Sequence, residues 1–123
     1  MVMTQTITEQ QVREWVDGYV KAWTTGDSAD VEALFAEAAE SYEWPYETAW
    51  VGREQIVAGW REREPWQEGG WTFDWSLLVI NGDTFAVNGI GVYAKLGTFD
   101  NLWVVTLDED GKCVAFRMWN NEV

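Results

Sequence analysis

Four carboxylates stand where an acid could move a proton. Glu40 and Glu43 lie in the short aromatic stretch that ends at Pro45, Glu47 follows that proline, and Asp74 sits between Phe73 and Trp75. A carboxylate does general acid–base work when a cavity reaches it and apolar surroundings lift its pKa toward neutrality. Strand periodicity puts Glu40 on one face with Tyr42 and Trp44 and Glu43 on the opposite face, with Glu47 in a loop. Glu40 and Asp74 are taken as the candidate bases. Two placements stay open for Asp74. The alternation from Trp71 to Ser76 ordinarily sends the aromatics inward and Thr72, Asp74 and Ser76 to solvent; the reverse sets the aspartate against a tryptophan-rich wall.

What the chain lacks narrows the chemistry. It contains no histidine, which removes the commonest general base and metal ligand and every Ser-His or Cys-His nucleophile pair. Cys113 is the single cysteine, so no internal disulfide forms and a reducing, cytoplasmic setting is expected. The run Asp108-Glu109-Asp110-Gly111 reads as a hairpin turn rather than a calcium loop, and no metal or other cofactor is expected. Eight basic against 21 acidic residues give a formal charge of -13, which repels nucleic acid and anionic lipid alike. The acidity serves solubility, or reflects an unusual host. Arg53, Arg61, Arg63 and Arg117 either pair with surface glutamates or meet an anionic ligand. Ten tryptophans exceed what a small core needs, so some are expected to line a cavity or an interface.

These side chains must be held by a scaffold. At 123 residues, one domain over 1–123 is expected. No stretch reads as a signal peptide or a membrane span. Thr8 with Gln11 forms a capping box, and Val12, Trp15, Val16, Tyr19, Val20 and Trp23 recur at helical spacing. Gly26 stops that helix, and Val31, Leu34, Phe35 and Ala38 give a second one its apolar stripe. A third runs from Gly52 to Glu64, buries Ile56, Val57 and Trp60, and is closed by Pro65.

Beyond Gly69-Gly70, turn signals at Asn81-Gly82-Asp83, Leu96-Gly97 and Asp108 to Gly111 cut out about four antiparallel strands: 71–80, 85–95, 99–107 and 112–120. Helices first and a strand meander afterwards predict an α+β fold. Positions two apart share a face, so Phe99, Asn101, Trp103 and Val105 point inward together, as do Val114, Phe116, Met118 and Asn120. Gly89, Gly91 and Tyr93 form a third such row, where the glycines either make room for a ligand or bend the sheet. Asn101 and Asn120 either orient a ligand in an apolar wall or serve the scaffold. Leu102, Val104, Ala115 and Trp119 make the other face apolar as well, which predicts a homodimer through the sheet or a local cover.

The order of elements, with Gly26-Asp27, Pro45 and Gly52-Arg53-Glu54-Gln55-Ile56, resembles the nuclear transport factor 2-like superfamily over nearly the whole chain. Its SnoaL-like, polyketide cyclase-like branch is the most similar, and the spacings are also similar to ketosteroid isomerase. The resemblance implies a cone-shaped fold, three N-terminal helices on a curved antiparallel sheet, closed around an aromatic pocket. It also implies that Tyr19, seven residues before the glycine of Gly26-Asp27, holds an oxyanion. Where the isomerase keeps its base, directly before the proline, this chain has Trp44; Trp103 stands where the isomerase keeps its acidic donor. Steroid isomerisation is accordingly not expected.

The expected partner is a small hydrophobic molecule. The function expected first is that of a cofactor-independent isomerase, lyase or cyclase, with Tyr19, Glu40 and Asp74 catalytic. Tyr42, Trp44, Trp60, Tyr93, Phe99, Asn101, Trp103, Phe116, Met118 and Asn120 would line the pocket. A non-catalytic binder and a dimeric accessory protein are the alternatives.

Overall fold

A computed structural model describes residues 6–123. Helix α1 spans Glu9–Thr25. The Thr8 hydroxyl accepts from the Gln11 amide at 3.2 Å, and the Gln11 side chain accepts from the Thr8 amide at 2.9 Å. Two of the four orphan amides of the first turn are thereby satisfied. Gly26, at φ 68, ends the helix in the left-handed conformation that a side chain would strain.

Helix α2, Ser28–Leu34, is capped by Asp27. It is shorter than its apolar stripe suggests. Phe35, read as helical, opens strand β1, Phe35–Trp44, and is fully buried. The run Ala36 to Glu40 favours helix locally, but pairing beside the last strand overrides that preference. Trp15 Nε1 donates to the Leu34 carbonyl at 3.0 Å, satisfying one acceptor at the helix end.

A cis Trp44–Pro45 peptide leads through a turn into β2, Thr48–Val51, which pairs antiparallel with β1. Helix α3, Arg53–Glu62, is followed by a 3₁₀ turn over Glu64–Gln67. The remaining strands are β3, Trp71–Asn81, β4, Thr84–Tyr93, β5, Gly97–Leu107, and β6, Cys113–Glu122. They form one six-stranded sheet in the order β2-β1-β6-β5-β4-β3. All neighbours are antiparallel except β1 and β6, which makes the sheet mixed.

The α+β architecture follows the order of elements in the sequence. Val12, Trp15 and Val16 of α1 and Ile56 and Trp60 of α3 bury against Phe85, Val87, Trp103, Val105 and Phe116 of the sheet. Register shifts at Leu77/Val79 and Thr106/Leu107 mark bulges, which bend and twist strands. The second shift also changes which residues of β6 turn inward. Cys113 is fully buried and Val114 is not, so the row runs Cys113, Phe116, Met118 rather than starting at Val114. Among the described residues, no helix is long and apolar enough to cross a membrane.

Candidate functional site

Between the helices and the inner sheet face lies a cavity of about 50 Å³. That is room for roughly three to five waters, and a ring-sized molecule enters only if the walls move apart. Its walls are mostly aromatic. Tyr19 and Trp23 come from α1 and Trp60 from α3, while Trp71, Phe73, Tyr93 and Trp103 come from the sheet. Tyr19 packs between Trp60, 4.8 Å away, and Trp103, 4.4 Å away, and Phe73 stacks on Trp103 at 4.8 Å and 12°.

The two strand glycines have different tasks. A methyl group at Gly89 would collide with the Phe73 ring, so this glycine is what lets Phe73 lie flat. At Gly91 it would meet Tyr93 Cε2 at 3.4 Å and Phe73 Cδ1 at 3.9 Å, which is ordinary contact, and Gly91 lines the cavity. Gly89→Ala is expected to destabilise by about 1–3 kcal/mol through overpacking. Gly91→Ala should fold normally while narrowing the cavity. Urea titration of both variants checks this, and equal losses at the two sites would contradict it.

Among the described residues, one carboxylate reaches the cavity. Glu43 lines it with only 4% of its side chain exposed. Inward-facing Ser41 shares its strand face. Arg63 Nη1 donates to Glu43 Oε1, and Arg63 Nη2 donates to Thr48 Oγ1 at 2.7 Å. The guanidinium lies 4.5 Å from the Trp50 ring and 4.7 Å from that of Trp66, with Tyr46 at 5.5 Å. Stacked on indoles and bonded at both ends, Arg63 is held as a rigid fork. Glu43 Oε2 has no hydrogen-bond donor among the described residues.

The electrostatics follow from this burial. Desolvation pushes the Glu43 carboxyl above the usual glutamate range, and Arg63 pulls it part of the way back. Burial, then the Glu43 charge, raises the Tyr19 hydroxyl well above its ordinary value. Tyr93 is pushed up to about 12, chiefly by burial and against the hydrogen bond from Trp23 Nε1. Both hydroxyls therefore remain protonated donors at neutral pH. The resulting array is one acceptor carboxylate facing phenolic donors inside an apolar wall.

The structure brings Tyr19, Trp60, Tyr93 and Phe99 to this cavity, together with Asn101, Trp103, Met118 and Asn120. Phe116 lies just behind, fully buried and stacked on Tyr19 at 5.7 Å. Glu40, Tyr42 and Trp44 are not brought there. They occupy the outer sheet face, where Tyr42 donates to Glu40 at 2.6 Å and Trp44 stacks on Trp119 at 4.9 Å. Asp74 is exposed, while Trp71 and Phe73 on the neighbouring positions line the cavity. The aromatic pair in β1 suggested the wrong face as the inner one; Trp119 gives those rings a partner outside.

Sequence reasoning ranked Glu43 behind Glu40 and Asp74 and favoured surface pairing over an anionic ligand for Arg63. It also passed over Tyr46 and Trp66. A partial signal was present: Trp66 falls three residues after Arg63, near enough for its indole to meet the guanidinium, whereas Trp50 comes from β2 and no local spacing announces it.

The model of the SnoaL-like domain family matches residues 16–116. No curated protein matches the chain. Among solved structures, a protein of unknown function with a cystatin-like fold from Methylobium petroleophilum PM1 superposes with a TM-score of 0.76 at 19% identity, over 96% of this chain and 80% of that one. A SnoaL-like protein of unknown function from Burkholderia thailandensis E264 gives 0.74 at 21% identity, covering 94% and 98%. A protein from Agrobacterium tumefaciens str. C58, named as a candidate isomerase of the SnoaL-like family, gives 0.72 at 15% identity, covering 91% and 98%. At these identities the structural likeness establishes the fold alone. The family match spans most of the sequence, from within α1 to within β6, and the chain belongs to the family of SnoaL-like domains.

Proposed function

We propose that the chain is a cofactor-independent acid–base enzyme acting on a small hydrophobic molecule that carries a carbonyl group, with Glu43 as the base. The observation that supports this reading is a buried, pKa-raised carboxylate opening on an aromatic cavity beside phenolic donors. Glu43 Oε2 removes a proton from the carbon next to the carbonyl. The C–H electron pair moves into the new C–C double bond, and the carbonyl pair moves to oxygen. The hydroxyl of Tyr19 holds that enolate oxygen. Return of the proton to a different carbon completes an isomerisation; loss of a β-substituent completes an elimination.

The test is deuterium uptake from heavy water at the α-carbon of small aryl ketones, beginning with acetophenone and followed by NMR. Uptake above the buffer rate supports the proposal. Ketones that bind and exchange no faster than in buffer would overturn it. They would leave the second reading, a non-catalytic binder, for which the engagement of Glu43 by Arg63 speaks.

A homodimer through the outer sheet face is proposed alongside. Trp44, stacked on Trp119, is 40% exposed there, and Ile90 and Val92 on β4 are 38% and 44% exposed, apolar groups of the kind that seek cover. Light scattering at micromolar concentration is expected to give twice the chain mass, and Trp119→Glu to shift it toward the monomer. A monomeric wild type would end this proposal.

A further inference from the structure

Four polar side chains of the cavity wall form one directed chain. Trp103 Nε1 donates to Asn101 Oδ1 at 3.2 Å, Asn101 Nδ2 donates to Asn120 Oδ1 at 2.8 Å, and Asn120 Nδ2 donates to the Tyr46 hydroxyl at 2.8 Å. The starting point sets the direction. An indole N–H can only donate, so Asn101 must turn its oxygen to Trp103 and its amide nitrogen to Asn120. Asn120 must then turn its own oxygen to Asn101 and its nitrogen to Tyr46. The last oxygen is left as an acceptor with its own proton unspent.

No group among the described residues accepts that proton. Tyr46 lines the cavity, and its ring is packed against Trp66 at 5.7 Å and beneath the Arg63 guanidinium. Trp103 is 2% exposed and Asn101 7%, so the head of the chain is shielded from water that could reorient it. Successive donors also polarise one another, which strengthens the terminal O–H. Tyr19 stands on another wall, against Trp60, Trp103 and Phe116.

We propose that Tyr46 is the specificity-determining donor of this pocket, oriented by the Trp103–Asn101–Asn120 relay, and that the ligand carries a second hydrogen-bond acceptor that receives the Tyr46 proton. The inference rests on the small-molecule reading above and adds to it. The substrate class becomes a small, flat molecule with two acceptor atoms, one for Tyr19 and one for Tyr46. A site built to donate at two points rejects an analogue lacking one acceptor, because the stranded hydroxyl has already lost its water.

The test compares acetophenone with the isomeric acetylpyridines, which keep its shape and carbonyl and add one accepting ring nitrogen. Binding is read by tryptophan fluorescence, and the hydrogen bond by the NMR shift of the ring nitrogen. The acetylpyridine isomer that binds the wild type best is expected to bind Tyr46→Phe about five- to tenfold more weakly, with its nitrogen shift returned to the unbonded value. Acetophenone leaves the Tyr46 hydroxyl stranded in the wild type, so it should bind Tyr46→Phe as tightly as the wild type or more tightly. Asn120→Asp is the sharper variant: it keeps the side-chain shape but offers only acceptor atoms, so the Tyr46 proton turns to the introduced carboxylate. The same selective loss is expected although the tyrosine is present. Acetylpyridine binding and nitrogen shift indifferent to both substitutions would overturn the relay while leaving the pocket intact. Failure of acetophenone and every acetylpyridine to bind wild type would overturn the small-molecule reading, and this inference with it.

Discussion

Replacing Arg63 with Met is expected to destabilise the protein by about 3–5 kcal/mol at neutral pH, a fall in Tm of more than about 10 °C. Only 16% of the Arg63 side chain is exposed, and it is the ionic partner of a carboxylate that is 4% exposed. Methionine keeps the apolar stem against Trp50 and Trp66 but strands Glu43 as an uncompensated buried charge. The pH dependence distinguishes this from lost packing. Without Arg63 the folded-state pKa of Glu43, already raised by burial, rises further, while the unfolded-state value stays that of an ordinary glutamate. Between those two values the folded state binds more protons than the unfolded one. Stability therefore falls as pH rises through that window and is regained on acidification, the opposite of a carboxylate stabilised by its native contacts. Urea titrations of wild type and Arg63→Met across the acid-to-neutral range check it. A loss independent of pH would mean that the cation–π stack, and not the charge pair, carries the effect.

The fold was legible because its signals are local and repeated. The Thr8-Gln11 box, the left-handed Gly26 and the turn signals between the long strands each act over a few residues, and each places an element boundary. The boundaries that misled are set by distant partners. Phe35 to Glu40 has the composition of a helix, and only β6, far along the chain, makes it a strand. The site shows the same division. Parity along β5 placed Asn101 and Trp103 together, because in an unbroken strand the inward face repeats every second residue. In β1, parity left a binary choice between the Glu40 face and the Glu43 face, and the two aromatics pulled the choice outward. Arg63 looked like solvent-exposed charge because its neighbours in sequence are glutamates, whereas its neighbours in space are indoles. A site assembled from one strand, a turn and a helix end together cannot be read from any one of those segments.

The largest effect is expected at Glu43. In wild type, exchange at the α-carbon of a bound aryl ketone should exceed the buffer rate, and Glu43→Gln should lower it by about 10²- to 10⁴-fold, the usual worth of a positioned general base. Glutamine preserves an acceptor oxygen for Arg63 but leaves its buried charge without an anion, so the variant should be less stable than wild type yet, with the guanidinium still held by the Trp50 and Trp66 rings, fold and bind ketone within a few-fold of wild type. Tyr19→Phe removes the donor to the developing oxyanion and should lower exchange by about 10²- to 10³-fold. Glu40→Gln and Asp74→Asn should leave it unchanged, since Glu40 is bonded to Tyr42 on the outer face and Asp74 points to solvent. The base must be ionised to act, so exchange should rise with pH through the folded-state pKa of Glu43. Because burial raises that value, the acid limb should lie above the ordinary glutamate range, and it should be absent from what activity Glu43→Gln retains. Exchange that survives Glu43→Gln at the wild-type rate and with the wild-type pH profile would remove Glu43 as the base; exchange that falls with Asp74→Asn instead would move the chemistry out of the cavity altogether.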